Sequence, residues 1–112
     1  MSLASEAVVA LDEHLREAGT PVVIRRYLTA ARTRVEDTVN AAVRITKFED
    51  LEGRVDAFDG RAIISPTGLT HTAMPKKDDK IVFDGREYNV ELVKPFMIAD
   101  QHVRFELMLT GV

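Results

Sequence analysis

The segment at residues 78–95 constrains the fold of this chain more than any other part of the sequence. It reads DDKIVFDGREYNVELVKP, in which apolar and polar residues alternate on both sides of the pair Asp84-Gly85. Alternation with a period of two puts successive side chains on opposite faces of a strand, and an Asp-Gly pair tolerates the positive φ angles of a two-residue turn. The segment therefore predicts a β-hairpin that ends at Pro95, a residue with no N–H to donate to a sheet. The side chains predicted to point inward are Ile81, Phe83, Tyr88, Val90 and Leu92.

Other segments also carry strand patterns rich in β-branched, aromatic and alternating apolar residues. Strands are predicted at residues 22–29, 39–49 and 102–110, with two brief strands around Val55 and Ile63 separated by Asp59-Gly60. In the segment at residues 102–110, every second residue is apolar, so one face of this strand is expected to lie in the core. The inward residues there are Val103, Phe105, Leu107 and Leu109.

Residues 1–19 predict one amphipathic helix. Ser2 suits the N-cap, and Gly19 followed by Pro21 suits the end of the helix. The predicted apolar stripe consists of Leu3, Ala7, Leu11 and Leu15, which recur every four residues. One helix followed by about six strands with hairpins between sequence neighbours predicts a mainly β fold with one N-terminal helix (α+β). We expect one domain over residues 1–112, with a small antiparallel β-barrel or sandwich with long loops at residues 22–112.

The segments between the strands are predicted to be turns and long loops. The sequence Ser65-Pro66-Thr67-Gly68 matches a type I turn, with Pro66 at its second position and Gly68 at its fourth. Residues 30–38, 50–61 and 70–79 lack alternation and are rich in charged and turn residues, so they are predicted to be long loops that are more mobile than the strands.

Composition excludes several classes of function. The 112 residues include no cysteine, which excludes a disulfide framework, a thiolate metal site and a cysteine nucleophile. Fifteen basic against 18 acidic residues give a formal charge of −3, which argues against general affinity for nucleic acid or anionic lipid. No stretch has the length of a membrane span, and the N-terminus has acids where a signal peptide has bases. We therefore expect synthesis in a reducing cytosol and no membrane partner.

The residue types that carry catalysis are present but are not grouped. His14, His71 and His102 are scattered without metal-ligand spacing, and Ser65 has neither a glycine elbow nor a nearby base. The adjacent acids at residues 78–79 are interpreted as a solvated entry to the hairpin. Neither a cofactor, nor a metal site, nor enzymatic activity is expected.

The order of motifs in the C-terminal half carries a resemblance. The motifs are Ile64-Ser65-Pro66-Thr67, the hairpin at residues 80–86, the bend Val93-Lys94-Pro95 and a last strand over residues 103–111. Over roughly the last sixty residues this order resembles small phage and prophage head-tail connector proteins, also described as head-completion, head-closure or stopper proteins.

The resemblance implies a structural protein of the virion that is assembled in the host cytoplasm. Such a protein forms a homo-oligomeric ring, expected to be a hexamer or dodecamer, between the portal or adaptor protein and the tail protein. The ring closes the head and joins it to the tail, and genomic DNA passes through its channel without specific binding. The helix is then a candidate docking element, and the loops supply candidate partner contacts: Arg32, Arg34, Glu36, Asp50, Glu52, Asp56, Asp59, Lys76, Lys77 and Asp78.

An SH3-like or OB-like barrel that binds a peptide or a nucleic acid remains an alternative, since hairpins of this kind also occur in such modules. A monomer with salt-dependent affinity for nucleic acid would favour that alternative, whereas a ring would favour the connector.

Overall fold

The computed structural model describes residues 2–28, 33–45 and 59–111. Within them it contains one helix, α1 (Leu3–Ala18), and six strands. The strands are β1 (Thr20–Leu28), β2 (Thr33–Ile45), β3 (Gly60–Ile64), β4 (Lys80–Phe83), β5 (Arg86–Ile98) and β6 (Gln101–Thr110). All neighbouring strands are antiparallel, and they close into a barrel in the order β1-β2-β3-β6-β5-β4. The mainly β fold with an N-terminal helix is therefore confirmed, and the sheet is a barrel.

The core fills the barrel with the inward side chains of all six strands. Predicted alternation is confirmed in β6, where Val103, Phe105, Leu107 and Leu109 are buried. Fully buried side chains from the other strands include Ile24, Ile64, Ile81 and Val90. Burying one side chain of this size stabilises the folded chain by roughly 1.5–3 kcal/mol, so the core is the main stabilising element.

Helix α1 has the predicted caps but not the predicted burial. The Ser2 hydroxyl accepts a hydrogen bond from the Ser5 N–H at 3.1 Å, and the Gly19 N–H donates to the Leu15 carbonyl at 2.8 Å. A Cβ at Gly19 would lie 2.4 Å from that carbonyl oxygen, which explains the glycine. Leu15 and Ala4 are buried, but Leu3 is 73% exposed. The apolar stripe of the helix is therefore only partly covered by the barrel.

The predicted loop at residues 30–38 is wrong for residues 33–38, because β2 begins at Thr33; residues 30–32 lie outside the described residues. Strand β2 pairs with β1 without a break from Leu28↔Thr33 to Thr20↔Ala41, so Arg34 and Glu36 are strand residues. The inward positions here include Asp37, whose carboxylate is buried. A polar residue at an inward position breaks the apolar alternation that would otherwise indicate a strand. Strand β1 correspondingly begins two residues earlier than predicted, at Thr20.

The hairpin between β4 and β5 forms around the predicted turn. Asp84 and Gly85 have φ angles of 53° and 76°, as a two-residue turn of type I′ requires, and Phe83 lies opposite Arg86. The prediction that Leu92 points inward is wrong, since this side chain is 43% exposed. Val90 pairs with Leu109 but Leu92 with Met108, which leaves Glu91 as the extra residue of a β-bulge. Beyond the bulge, the side chains that regular alternation would place inward point outward, and those that it would place outward point inward.

Strand β5 continues through Pro95, so the prediction that Pro95 ends the pairing is wrong. Pro95 lies opposite Phe105, and pairing with β6 extends to Ile98↔Gln101. Strand β4 borders β5 only as far as Asn89, so beyond that point β5 pairs with a single described strand. A proline is tolerated at such an edge. Residues 94–104 thus form a second hairpin, the hairpin arm, closed by a turn at Ala99-Asp100 with positive φ angles.

Two other predicted turns differ in position. The Leu69 N–H donates to the Pro66 carbonyl at 3.4 Å and Gly68 has a φ of 87°, so the turn spans residues 66–69 with glycine third. A positive φ at the third position fits a type II turn and not the predicted type I turn. Gly60 begins β3 instead of forming a turn, and a Cβ there would lie 2.6 Å from Ile45 Cδ1. The strand predicted around Val55 lies outside the described residues.

Candidate functional site

No cluster of potential metal ligands is assembled in the described residues. They contain no cluster of three or more histidine, aspartate and glutamate side chains that could hold a metal ion. Ser65 Oγ accepts a hydrogen bond from the Thr67 N–H at 3.1 Å and so serves the adjacent turn. His102 lies 5.2 Å from Phe105, measured between ring centroids. None of the helices in the described ranges is both long and apolar enough to cross a membrane.

The segment at residues 65–79, called the strap below, is held against the barrel by Asp37. The Asp37 carboxylate accepts hydrogen bonds from Thr70 Oγ1 and the His71 N–H at 3.0 Å each, and from the N–H and Oγ1 of Thr72 at 2.7 Å each. Burial alone would raise the pKa of Asp37, but these four hydrogen bonds outweigh it and lower the pKa to about 2. The carboxylate is therefore ionised at neutral pH and fixes the middle of the strap.

A second buried carboxylate, Asp79, fixes the end of the strap. Arg26 on β1 donates to both Asp79 oxygens at 2.9 and 3.0 Å, and the Lys76 N–H donates at 3.0 Å. Arg26 also donates to the Met74 carbonyl at 2.7 Å. Asp79 is only 2% exposed, so the interpretation of this residue as part of a solvated turn is wrong. The arginine compensates the buried charge and satisfies both carboxylate oxygens.

The strap is thus attached to the barrel at two points within the chain, at residues 70–72 and at Asp79. Between its two attachments the strap exposes Met74, Lys76 and Lys77 to solvent. Asp78 is exposed as well, and its N–H donates to the Val90 carbonyl at 2.8 Å. The three charged residues predicted as partner contacts in this loop therefore lie on a preformed surface.

The predicted contact residues of β2 belong to an ion-pair network on the barrel wall. Glu36 pairs with Arg25 and with Arg34, the latter at 3.3 Å. Arg25 also pairs with Glu87 at 2.8 Å, and the Tyr27 hydroxyl donates to the same carboxylate at 2.9 Å. Ion pairs at the protein surface contribute roughly 0–1 kcal/mol each. Arg34 and Glu36 are thus engaged within the chain and do not project from a loop.

Of the five remaining predicted contact residues, the structure describes only Asp59. Asp59 accepts a hydrogen bond from the Gly111 N–H and donates its own N–H to the Leu109 carbonyl. These two hydrogen bonds connect the end of β6 to the residue before β3. The loop residues Arg32, Asp50, Glu52 and Asp56 lie outside the described residues.

An apolar surface is formed where α1 meets the hairpin arm. Between the two elements lies a groove of about 310 Å³. It is lined by Ala7, Leu11, Phe96, Met97, Ile98, Val103 and Arg104. Met97 is 50% exposed, and Leu3 extends the apolar surface along the helix. Exposed apolar patches on soluble proteins commonly mark sites of protein association.

The sequence indicated the helical half of this surface, through the apolar stripe of α1. It did not indicate the half formed by the hairpin arm, because the strand was predicted to end at Pro95. The signal that could have located it is the apolar run Phe96-Met97-Ile98, which directly follows the proline.

A comparison with protein-family models finds none that matches this chain, and a comparison with curated proteins finds no match either.

Proposed function

We propose that this protein is a structural component of a tailed phage or prophage virion. In this proposal it forms a ring between the portal or adaptor protein and the tail, closes the filled head and joins it to the tail. The motif order in the C-terminal half, which resembles that of head-tail connector proteins, supports the assignment to the virion.

The observation that carries a role in assembly is the apolar surface of α1 and the hairpin arm. Leu3 and Met97 are at least half exposed, although burying either side chain would be favourable by roughly 1.5–3 kcal/mol. The core of the barrel is formed by other residues and does not include Leu3 or Met97. A second protein surface that covers the patch would gain that free energy, as expected for a subunit of an assembly.

The strap supports the same role in a different way. Its exposed residues Met74, Lys76 and Lys77 are held in place by Asp37 and Asp79, so little conformational entropy is lost when a partner binds them. The strap and the apolar surface are separate patches on one subunit. Contacts between unlike patches are heterologous, and a heterologous contact whose rotation closes generates a ring.

Native mass spectrometry of the protein, alone and mixed with the purified portal protein from the same genome, tests this function. We expect a defined complex in which six or twelve copies of this chain accompany one portal ring. A chain that stays monomeric in both samples at micromolar concentration would contradict the proposal. The matched control is Met97→Glu, which places a charge on the apolar surface and is expected to reduce complex formation without lowering the thermal stability of the monomer.

A further inference from the structure

The groove between α1 and the hairpin arm is lined by Arg104, whose Nε atom is buried without a hydrogen-bond partner among the described residues. The Arg104 guanidinium lies 4.1 Å above the Phe96 ring, measured to the ring centroid. Buried polar atoms are nearly always paired in folded proteins, and the strongest hydrogen bonds of a guanidinium are those to a carboxylate. A ligand of this groove is therefore expected to bring a carboxylate to Arg104.

The other lining residues require that an apolar group accompany this carboxylate. Leu11, Met97 and Val103 form apolar walls of the groove, and Met97 is 50% exposed. Among the described residues that line the groove, Arg104 is the only charged one. The groove thus fits a protein surface on which an apolar side chain lies beside carboxylates.

Helix α1 carries such a surface on the side that faces solvent. Glu6 and Glu13 are exposed, and the apolar Val9 between them is 46% exposed. At about 100° per residue, these three side chains lie within about 60° of one another around the helix axis. Residues three and four apart are neighbours on a helix, so Val9 is flanked by both carboxylates. Glu6, Val9 and Glu13 are called the outer face of α1 below.

The outer face cannot reach the groove of its own subunit, because the same helix lines that groove with another side. Ala7 and Leu11 line the groove, and they lie about 100–160° from the outer face around the axis of α1. The helix is continuous from Leu3 to Ala18, so the two sides keep this separation. An outer face that occupies the groove must therefore come from another copy of the chain.

We propose that the outer face of α1 of one copy packs into the groove between α1 and the hairpin arm of the next copy. The inference rests on the proposed ring and specifies its subunit contact. Val9 packs against Met97, and the carboxylates of Glu6 and Glu13 pair with Arg104. The two surfaces differ, so the contact is heterologous, and heterologous contacts form a ring when their rotation closes. Successive α1 helices lie side by side in this ring, and the strap stays free for the portal or adaptor protein.

Sedimentation velocity of the full-length protein at increasing concentration tests the contact. We expect self-association that Arg104→Glu weakens by about tenfold or more, because it places like charges against each other. The matched control is Arg86→Glu, since Arg86 also lies over an aromatic ring, that of Tyr88, but does not line the groove. This control should change the association by less than about twofold. Thermal melts verify that the variants are folded.

A charge exchange within one chain makes the same test independent of a simple loss of stability. Arg104→Glu combined with Glu6→Arg and Glu13→Arg restores opposite charges across the contact, and is expected to recover most of the association lost in Arg104→Glu. Equal self-association of the unaltered and Arg104→Glu chains would overturn the inference. An unaltered chain that stays monomeric at about 1 mM would also overturn it.

Disulfide formation identifies the two surfaces directly, because the chain has no cysteine of its own. Val9→Cys with Met97→Cys in one chain is expected to give linked dimers, trimers and larger species on mild oxidation, whereas either single variant gives at most dimers. Mass spectrometry of the digested ladder should find bonds between position 9 of one copy and position 97 of another. Bonds that join only equivalent positions would indicate an isologous contact and overturn the inference.

The Arg104→Glu variant also separates this contact from the function itself. If the variant assembles on the purified portal as the unaltered chain does, the contact is wrong and the connector function stands. If the unaltered chain self-associates through positions 9 and 97 but forms no complex with the portal, the contact stands and the connector function fails.

Discussion

At the scale of single residues, two buried carboxylates attach the strap to the barrel. Asp37 occupies an inward position of β2 and accepts four hydrogen bonds from Thr70, His71 and Thr72. In the sequence this aspartate is indistinguishable from a loop residue, because its partners lie more than thirty positions away. The prediction of a loop at residues 30–38 failed for that reason.

Asp37→Asn is expected to lower the free energy of unfolding by about 2 kcal/mol at neutral pH. The pKa of Asp37 is about 2 in the folded chain, below its ordinary value of 3.8. A lowered pKa stabilises the folded state above the unfolded pKa, and this contribution is lost as the pH falls from about 4 to about 2. Urea unfolding at pH 7, 5, 3 and 2 should therefore show the difference from the unaltered chain shrinking toward pH 2.

Asp78→Asn is the matched control for this experiment, since it makes the same chemical change at an exposed position of the strap. Its effect on the free energy of unfolding should stay within about 0.5 kcal/mol. An Asp37→Asn effect that is small or independent of pH would contradict the attachment of the strap through this carboxylate.

Gly85→Val tests the turn between β4 and β5. Gly85 has a φ of 76°, and a Cβ there would meet no atom within 4 Å. The cost is therefore conformational and not steric, and we expect the free energy of unfolding to fall by about 1–3 kcal/mol. Gly85→Asn should cost less, since asparagine tolerates the left-handed region. Thermal melts in which the valine variant is as stable as the asparagine variant would contradict the turn.

At the scale of elements, patterns of period two predicted the strands wherever the alternation was regular. Strand β6 and the hairpin at Asp84-Gly85 were predicted from local sequence because all their inward positions before the bulge are apolar. The bulge at Glu91 and the continuation through Pro95 were missed. Both depend on the neighbouring strand, since the bulge is set by pairing with β6 and the proline is tolerated where β4 no longer borders β5.

The bulge predicts opposite effects at two adjacent positions of β5. Val93 packs against the core, whereas Leu92 is exposed. Val93→Asp should therefore lower the free energy of unfolding by about 2–4 kcal/mol, because a charge is placed against apolar side chains. Leu92→Asp should change it by less than about 0.5 kcal/mol. Chemical denaturation of both variants checks this, and the reverse order would indicate a strand without the bulge.

At the scale of the whole molecule, the fold class followed from the number and order of strands, but closure of the sheet did not. The barrel closes through pairing of β1 with β4, whose partners Val23 and Val82 lie far apart in sequence. No local pattern encodes such a contact. The same holds for the groove, which exists only because the hairpin arm passes α1.

The charge distribution predicts weak or no binding of duplex DNA at physiological salt. The net charge is −3, and within the described residues Arg25, Arg26 and Arg61 each pair with a carboxylate of the same chain. Phosphate contacts need free basic side chains, and each contact makes the affinity steeply dependent on salt. Fluorescence anisotropy with a short duplex at two salt concentrations measures this. Micromolar or tighter binding with a steep salt slope would favour a barrel that binds nucleic acid over a connector.

The most direct test of the connector function is electron microscopy of the purified portal protein mixed with an excess of this chain. We predict class averages in which the portal ring carries one additional coaxial layer with rotational symmetry matching or dividing that of the portal. Met97→Glu, which alters the apolar surface, should yield portal rings in which the layer is reduced or missing. Portal rings that stay bare at saturating concentrations of the unaltered chain would contradict the proposed function.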